Sequence, residues 1–374
     1  FSGEILIWNL SVDITATVGI AGSTEGGHLE SVGQIEWLAC DWTDGPPALP
    51  TPRQSDGASS GLRNTVCQRL VSIGSDGRLL VWRLDTGRRT HGLVCLQSYQ
   101  IRNSDQLPPT VDYPTGSREQ TVFAERSVSL TCLALSPMQP DRLVLGTACG
   151  GVLLCSLAPI LHWRSSTDSA HHLAKGIEID LQQPSPVELA LFRHSGPVTA
   201  LDWSKFHRNL VLSCSAGHQV QLHNILQRNL TTSLDYGCQA SFAQSSVLAA
   251  QFSPVYASLL VCASNSGQLS FYNLNTGSGL GPQTDRLPAL GGQPVLVRRV
   301  QTEPPSAGDS DNCTTAPVMS LAMNRDRRPL IAVASPRGEV NVWRPGDTDG
   351  EHMSLFNAPV RIEQLFSHLL LPDQ

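Results

Sequence analysis

A repeated hairpin pattern constrains the fold of this chain more than any other feature. Its clearest copy is RLVSIGSDGRLLVWRL, residues 69–84, in which an apolar run, a small polar turn with glycine and an alternating run ending in tryptophan follow one another. This order of signals predicts two antiparallel strands joined by a tight turn. Further copies begin at Arg142, Asn209, Ser258 and Pro329, and the chain opens on the second half of another, GEILIWNL. Such a repeat predicts one structural unit built several times.

One turn position in these hairpins is nearly always glycine. The copy that departs from this rule carries His218 beside Gly217. The other five aligned copies carry Gly3, Gly77, Gly150, Gly267 and Gly338. Glycine at a fixed turn position predicts a backbone with positive φ, which other residues adopt only under strain.

An apolar strand precedes every complete hairpin, so each repeat supplies three strands. These strands lie within residues 31–42, 128–141, 196–208, 246–257 and 318–328. A fourth strand is expected in the connection to the next repeat, with candidates at 93–101, 187–192, 295–300 and 352–356. Four antiparallel strands per repeat form the blade of a propeller. The sequence therefore predicts an all-β, WD-repeat-like β-propeller.

The blades are expected in a simple order along the chain. Residues 1–12 are interpreted as the closing strands of a truncated blade, residues 13–357 as five blades, and residues 358–374 as a tail. Successive repeats lie 49 to 74 residues apart, against about 40–45 for a standard blade. The excess is assigned to loop inserts at 43–64, 102–126, 158–184 and 275–316. Because an open propeller leaves strand edges unpaired, we expect seven blades in the intact protein, with residues preceding Phe1 completing the first.

The tail carries a different periodicity. Its apolar residues Ile362, Leu365, Phe366, Leu369 and Leu370 have helical spacing. This spacing predicts an amphipathic helix over residues 359–371. The helix either covers an edge of the propeller or binds a partner.

Composition disfavours several functional classes. The low charged fraction of 16% with 31 Gly and 25 Pro suits an all-β chain with many turns. The net charge of -6 disfavours nucleic acid as the partner, and the lack of a long apolar run predicts no membrane insertion. The ten cysteines include no C-x-x-C pair, and several lie in apolar runs. They are therefore expected to be buried thiols rather than zinc ligands or disulfides.

Motifs that resemble catalytic or metal sites occur in the wrong context. The run GASSG at 57–61 has the spacing of a nucleophile elbow, but no strand precedes it. His171 and His172 lack further ligands at metal-binding spacing. No catalytic, cofactor or metal site is therefore predicted, and the chain is expected not to be an enzyme.

His194 is expected to brace neighbouring strands by hydrogen bonds. Trp8, Trp82 and Trp343 are expected to pack between blades, with a ligand-binding aromatic cage as the alternative.

Several of these runs together resemble the dynein intermediate chains. The runs are FSGEILIWNLS, SIGSDGRLLVW, LGTACGGVLLCSL and HSGPVTALDWSKFHRNLVLSCSAG. The resemblance covers residues 1–12, 31–42, 68–84, 128–157, 192–232, 246–274 and 318–345, and the FHRN run is most similar to the smaller intermediate chain type of cytoplasmic dynein 2. The long inserts depart from the family pattern, as do His218 at a glycine position and Cys155 and His223 at tryptophan or tyrosine positions.

The resemblance implies a non-catalytic subunit of a motor complex. Its propeller would bind the tail of the dynein heavy chain for retrograde intraflagellar transport and cilium assembly, on the microtubule cytoskeleton of the cytoplasm and in the cilium or flagellum and its base. Light chains and a second intermediate chain would bind a preceding region. The alternatives are another WD-repeat adaptor, such as a ubiquitin-ligase receptor or a trafficking scaffold, and a propeller hydrolase.

One strand end is the predicted partner-binding site. It carries Trp203, Phe206, His207 and Arg208, and aromatic and arginine side chains are enriched where interfaces bind most tightly. The alternative is that Trp203 and Phe206 belong to the core.

Overall fold

The computed structural model of the chain describes the residues that form the repeats. These are residues 3–9, 13–21, 26–38, 69–86, 91–106, 125–157, 185–191, 193–217, 219–226, 231–234, 246–274, 296–299, 317–324 and 330–343. Some predictions from the sequence fall outside them. These are the inserts 43–64 (with the run 57–61) and 158–184 (with His171 and His172), His218, the strand candidate 352–356 and the helix predicted over 359–371.

The described strands form six antiparallel sheets that follow one another along the chain. The first holds β1 (Ile5–Asn9) and β2 (Asp13–Ala21). The second holds β3 (Val32–Leu38), β4 (Arg69–Gly74), β5 (Arg78–Thr86) and β6 (His91–Gln100), followed by a 3-10 helix, Asn103–Gln106. The third holds β7 (Leu130–Leu135), β8 (Arg142–Thr147), β9 (Val152–Ser156) and β10 (Val187–Ala190). The fourth holds β11 (Val198–Trp203), β12 (Leu210–Ser215), β13 (Val220–Asn224) and β14 (Thr231–Leu234). The fifth holds β15 (Val247–Phe252), β16 (Leu259–Ser264), β17 (Gln268–Asn273) and β18 (Leu296–Arg299), and the sixth β19 (Ser320–Met323), β20 (Ile331–Ala334) and β21 (Val340–Trp343).

The hairpins predicted from the repeat are confirmed. β4–β5, β8–β9, β12–β13, β16–β17 and β20–β21 are antiparallel pairs in consecutive register. All five turn glycines have positive φ, between 66° and 87°. Three predicted fourth strands are confirmed as β6, β10 and β18. β14 is missing from the prediction, because its run TTSL contains only one large apolar side chain and gives little periodic signal.

The first sheet extends beyond the truncated blade expected at residues 1–12. β2 pairs with β1 from Ile5–Ala21 to Asn9–Asp13, so the sheet continues to Ala21. The run DITATVGIA is rich in β-branched residues, which favour strands. The first sheet thus has the third and fourth strands of a blade.

Successive sheets stack face to face, and each consecutive pair shares a hydrophobic cluster. Between the third and fourth sheets, for example, Cys132 and Val144 pack with Trp203 and Val211. Equivalent clusters join the remaining four consecutive pairs of described sheets. The first strands of neighbouring sheets also lie against one another, β3 on β7, β7 on β11, β11 on β15 and β15 on β19. Sheets stacked in this way around their first strands form a WD-repeat-like β-propeller, as predicted.

Side chains at one position of the first strand tie neighbouring sheets together. Asp202 Oδ2 accepts the backbone N–H of Phe252 at 2.7 Å, and Gln251 Oε1 accepts that of Met323 at 3.0 Å. Asp202 and Gln251 hold equivalent places, because they pair with Leu212 and Val261 at the same register of their sheets. Each bond satisfies an N–H at the seam between two blades.

Candidate partner-binding site

The loop that follows β11 carries the residues that the sequence predicted to bind a partner. Ser204 shapes this loop, since its Oγ accepts the backbone N–H groups of Phe206 at 3.3 Å and His207 at 3.1 Å. The loop closes as Ser204 N donates to Leu210 O at 3.0 Å and Leu210 N donates to His207 O at 3.3 Å. A serine at a strand end often forms such a turn. Ser204 was not among the residues predicted to bind a partner.

Trp203 anchors the loop from below. Its side chain is fully buried against the third sheet, and its Nε1 donates to the backbone oxygen of Arg208 at 2.9 Å. Trp203 therefore belongs to the core, as the alternative interpretation held. It positions the loop and exposes no surface that a partner could contact. The burial is decided by the preceding sheet, which covers the last residue of β11.

Phe206 and Arg208 point into solvent. Phe206 is 41% exposed, so it does not belong to the core. Arg208 is also exposed. His207 lies half-buried between them, and burial lowers its pKa below the ordinary value, so the imidazole is neutral at pH 7. The loop thus offers an aromatic face and a guanidinium on a rigid support. Their role as partner contacts stays a prediction.

Asp202 and Lys205 complete the support. Asp202 Oδ1 accepts Trp203 N at 2.9 Å and lies 3.4 Å from Lys205 Nζ. Burial raises the pKa of Asp202, while Lys205 and the backbone hydrogen bonds oppose the rise. The carboxyl group acts as a structural acceptor here, because its hydrogen bonds hold backbone groups of two blades.

A four-residue polar chain in the second sheet was not predicted. Trp82 Nε1 donates to Ser72 Oγ at 2.7 Å, Ser72 Oγ lies 2.7 Å from His28 Nε2, and His28 Nδ1 lies 3.2 Å from Asp76 Oδ1. Since a carboxylate only accepts, His28 donates from Nδ1 to Asp76. Burial acts to raise the pKa of Asp76, but hydrogen bonds from His28, Leu29 and Arg78 outweigh it and lower the pKa. The buried position of Trp82 confirms its predicted packing between blades.

A shorter series of hydrogen-bonded buried side chains occurs in the fourth sheet. Ser213 Oγ lies 2.6 Å from Nε2 of both His194 and His223. His223 takes the place of Trp82, because it pairs with Val211 as Trp82 pairs with Leu70. Burial lowers the pKa of His194 to about 4 and that of His223 to about 3. The bracing role predicted for His194 is confirmed.

Two other predictions have mixed outcomes. Trp8 is 45% exposed instead of packing between two blades, and the side chain of Trp343 lies outside the described residues. Among the cysteines that the structure describes, Cys149 is exposed, contrary to expectation. The buried ones are Cys95, Cys132, Cys155, Cys214 and Cys262. Burial raises the pKa of Cys132 to about 12, as expected for an inert thiol.

Two structural features were not found within the described ranges. Their His, Cys, Asp and Glu side chains form no group of three or more that could hold a metal ion. No helix in the same ranges has the length and apolar character needed to cross a membrane.

Comparison with known proteins points to one class. No protein-family model matches the chain. The chain is 26% identical over 344 residues to cytoplasmic dynein 2 intermediate chain 2 of Mus musculus, a match that covers 92% of the chain and 51% of the relative. The protein of the same name from Homo sapiens is 26% identical over 347 residues, with the same coverage. The chain therefore spans about half the length of the curated relatives that it matches. The chain is a relative of the dynein intermediate chains, and its described part is a WD-repeat-like β-propeller.

Proposed function

We propose that this chain is a non-catalytic intermediate-chain subunit of a dynein motor of the cytoplasmic dynein 2 type. The observation that carries the proposal is the similarity to cytoplasmic dynein 2 intermediate chain 2 along 92% of the chain. In this role the propeller binds the tail of the dynein heavy chain and serves retrograde intraflagellar transport and cilium assembly. Its place is the cytoplasmic cytoskeleton, the cilium or flagellum and its base.

The architecture supports a binding role. A ring of stacked blades holds its loops in fixed positions without chemistry of its own. Two buried titratable groups of the fourth blade have structural partners, since Asp202 accepts a backbone N–H and His194 is hydrogen-bonded to Ser213. We assign the light chains and the second intermediate chain to a region outside the 374 residues.

The heavy-chain contact is assigned to Phe206, His207 and Arg208, with Trp203 as the buried support. An exposed aromatic ring beside an arginine suits a partner surface that is apolar at its centre and acidic at its rim. Because the loop is held by Ser204 and Trp203, binding costs little ordering entropy.

The subunit role is tested by purification of the tagged protein from ciliated cells of its source organism. A dynein heavy chain is expected in the purified complex at a fixed ratio to the tagged chain. A complex that lacks a dynein heavy chain and holds ubiquitin-ligase or coat subunits in its place would contradict the proposal.

The contact is tested with Phe206→Ala and Arg208→Ala. Each is expected to weaken heavy-chain binding by ~2 kcal/mol, which is about a thirtyfold loss of affinity. The matched control is Leu29→Ala, because Leu29 is exposed but lies before a first strand, at the opposite end of the sheets from Phe206. Equal recovery of heavy chain by all three variants would place the contact elsewhere and leave the subunit role intact. Thermal unfolding of each variant checks that the fold is unchanged.

A further inference from the structure

The turn between β12 and β13 has a glycine at a position where two other blades use a polar side chain. Strand register aligns Gly217 with Asp76 of the second sheet and with Ser266 of the fifth. Asp76 Oδ1 lies 3.2 Å from Nδ1 of the buried His28. Ser266 Oγ lies 2.8 Å from Oγ of the buried Ser264. The residue at this position therefore gives a hydrogen-bonding partner to a polar group that its blade buries.

The fourth blade has both of the groups that this position serves. His194 corresponds to His28, because each binds the equivalent serine through Nε2, and Ser215 aligns with Ser264. His194 is 2% exposed and Ser215 is fully buried. His194 Nδ1 and Ser215 Oγ have no hydrogen-bond partner among the described residues. Gly217 has no side chain to bind either of them.

Backbone donors extend the correspondence between the two blades. The N–H groups of Leu29 and Arg78 donate to the carboxylate of Asp76 at 2.8 and 3.0 Å. The equivalent groups in the fourth blade are the N–H groups of Ser195 and Gln219. Ser195 N donates to Gln219 Oε1 at 3.4 Å, which is longer than an ordinary N–H···O bond.

Gln219 replaces the carboxylate only in part. Burial lowers the pKa of His194 to about 4, and the side chain of Gln219 offsets part of that fall. An amide is neutral, however, and no described side chain forms a hydrogen bond to His194 Nδ1. The donors of the second blade are thus present in the fourth without the anionic acceptor.

The protons of the buried histidines also favour an acceptor at this position. Ser213 Oγ contacts Nε2 of His194 and of His223 and has one proton, so it donates to one ring and accepts from the other. His223 holds the place of Trp82, which donates to its serine. When His223 donates as Trp82 does, the neutral His194 accepts at Nε2 and has its proton on Nδ1. That N–H and the hydroxyl of Ser215 then both require an acceptor.

Small residues leave a path from solvent to this position. Ser195 is exposed, and Gly196 and Gly217 are half-buried and have no side chains to close the path. Arg193 is exposed directly before His194, and its positive charge favours the approach of an anion.

We propose that the fourth blade binds a carboxylate group at the place that Asp76 occupies in the second blade. The carboxylate belongs to an acidic peptide segment or to a small carboxylic acid, and it accepts from His194 Nδ1, Ser215 Oγ and Ser195 N. A carboxylate fits because it only accepts, and its hydrogen bonds are stronger than those of a neutral acceptor. The site lies at the opposite end of the sheets from Phe206, so it is distinct from the proposed heavy-chain contact.

The proposal is tested by NMR of the 374-residue chain with isotope-labelled histidine rings at pH 7. The probes are sodium acetate and a hexaglutamate peptide, and the controls are sodium chloride and acetamide, the neutral counterpart of acetate. The His194 signal, assigned with His194→Gln, is expected to shift and saturate with a carboxylate probe and to stay unchanged with the controls. The His28 signal is expected to stay unchanged throughout, because Asp76 already binds that ring.

The two probes distinguish the sources of the carboxylate. Saturation by the peptide at about tenfold or more lower concentration than acetate would identify a peptide segment. Saturation by acetate at an equal or lower concentration would identify a small acid. Both results support the site, whereas an unchanged His194 signal with both probes would overturn it. An equal shift with acetamide, or an equal shift of the His28 signal, would also overturn it.

Two variants provide a further check of the site. Gly217→Asp supplies a carboxylate from the chain itself and is expected to weaken acetate binding by about tenfold or more. Gly217 is not among the glycines with positive φ, and the atom nearest to a Cβ there is Ser195 Oγ at 2.7 Å, which can rotate away. Ser215→Ala removes one donor and is expected to weaken binding by about threefold to tenfold. Thermal unfolding checks that both variants fold.

Acetate binding that is unchanged in both variants would place the carboxylate elsewhere and overturn the proposal. None of these measurements involves a dynein heavy chain, so the proposed function is tested separately.

Discussion

Ser72 serves two buried partners in the second sheet through one hydroxyl group. Trp82 donates to Ser72 Oγ, which is also hydrogen-bonded to Nε2 of His28, and His28 in turn contacts Asp76. The tryptophan N–H can only donate and the carboxylate can only accept, so these two groups end the series. The two bonds of Ser72 are buried, so loss of its hydroxyl group leaves Trp82 and His28 without that partner in a place that water does not reach.

Ser72→Ala is therefore expected to lower the free energy of unfolding by about 1–3 kcal/mol, because two buried polar atoms lose their partner. Urea denaturation measures the effect. Ser104→Ala serves as the control, because Ser104 is exposed and its loss is expected to cost within about 0.5 kcal/mol. Equal stability of the two variants would show that the polar chain contributes nothing to folding.

The buried pair His194 and His223 makes stability depend on pH. Burial lowers the pKa of His194 to about 4 and that of His223 to about 3, below the value of about 6.5 in an unfolded chain. Between these values the unfolded state binds protons that the folded state does not. The contribution of these two histidines to the free energy of unfolding is thus fully present above pH ~6.5, and it is lost as the pH drops towards 4 and then 3.

His223→Gln is expected to reduce this acid sensitivity. Each buried histidine contributes a slope of up to about 1.4 kcal/mol per pH unit, and glutamine keeps a hydrogen-bonding side chain beside Ser213 without titrating. Urea unfolding of the variant and of the unsubstituted protein at pH 7.5, 6.5, 5.5 and 4.5 measures how steeply the free energy of unfolding depends on pH in each. The carboxylates are the same in both proteins, so their effect cancels in the difference between the two slopes. Parallel pH profiles would contradict the assignment.

At the scale of the element, the hairpin turns differ in how closely their glycines are packed. Gly150 has φ +87° and Gly338 has φ +85°. A residue with a side chain would therefore suffer about the same backbone strain at either position. A Cβ at Gly150 would lie 2.4 Å from the backbone oxygen of His194, whereas at Gly338 nothing among the described atoms lies within 4 Å. The fourth sheet therefore closes over the turn of the third.

The matched pair Gly150→Ala and Gly338→Ala separates these two costs. Gly338→Ala is expected to cost about 1–2 kcal/mol, the strain of a left-handed residue. Gly150→Ala is expected to cost at least ~1 kcal/mol more, since backbone atoms of the next blade must move. Thermal unfolding gives the ranking. A larger loss at Gly338→Ala would contradict the packing described between the third and fourth sheets.

At the scale of the whole molecule, the propeller is a row of sheets in which each contacts its neighbours. The second, third, fourth and fifth sheets each share a hydrophobic cluster with a neighbour on both faces. The outward faces of the two terminal sheets carry exposed large side chains, among them Leu6, Trp8, Val340 and Val342. Stability in such a row depends on the number of interfaces that each unit makes.

Native-state hydrogen exchange of the 374-residue chain is expected to follow this order. Amides of β8 and β12 are expected to exchange about tenfold or more slowly than those of β1 and β21, because a sheet with two interfaces opens at a higher free-energy cost. Equal rates across all sheets would instead indicate that the blades unfold as one unit.

The sequence by itself determined the features that depend on neighbours along the chain. The alternating runs, the turn glycines such as Gly77 and Gly150, and the order of the hairpins follow from strand periodicity and turn chemistry, and the structure confirms them. The bracing role of His194 was also readable, because the repeat places it directly before a first strand. The resemblance carried by the FHRN run agrees with the curated relatives.

The tertiary structure alone decided what depends on contact between sheets. Trp203 is buried and Trp37 is exposed although both hold the same register position on a first strand, because burial is conferred by the preceding sheet. His28 meets Ser72 from 44 residues away, a separation at which local pattern carries no information. Phe206 points outward because Ser204 and Trp203 turn the loop away from the core. A side chain's type and spacing set which strand it joins, and only the stacking of the blades sets whether it meets protein or water.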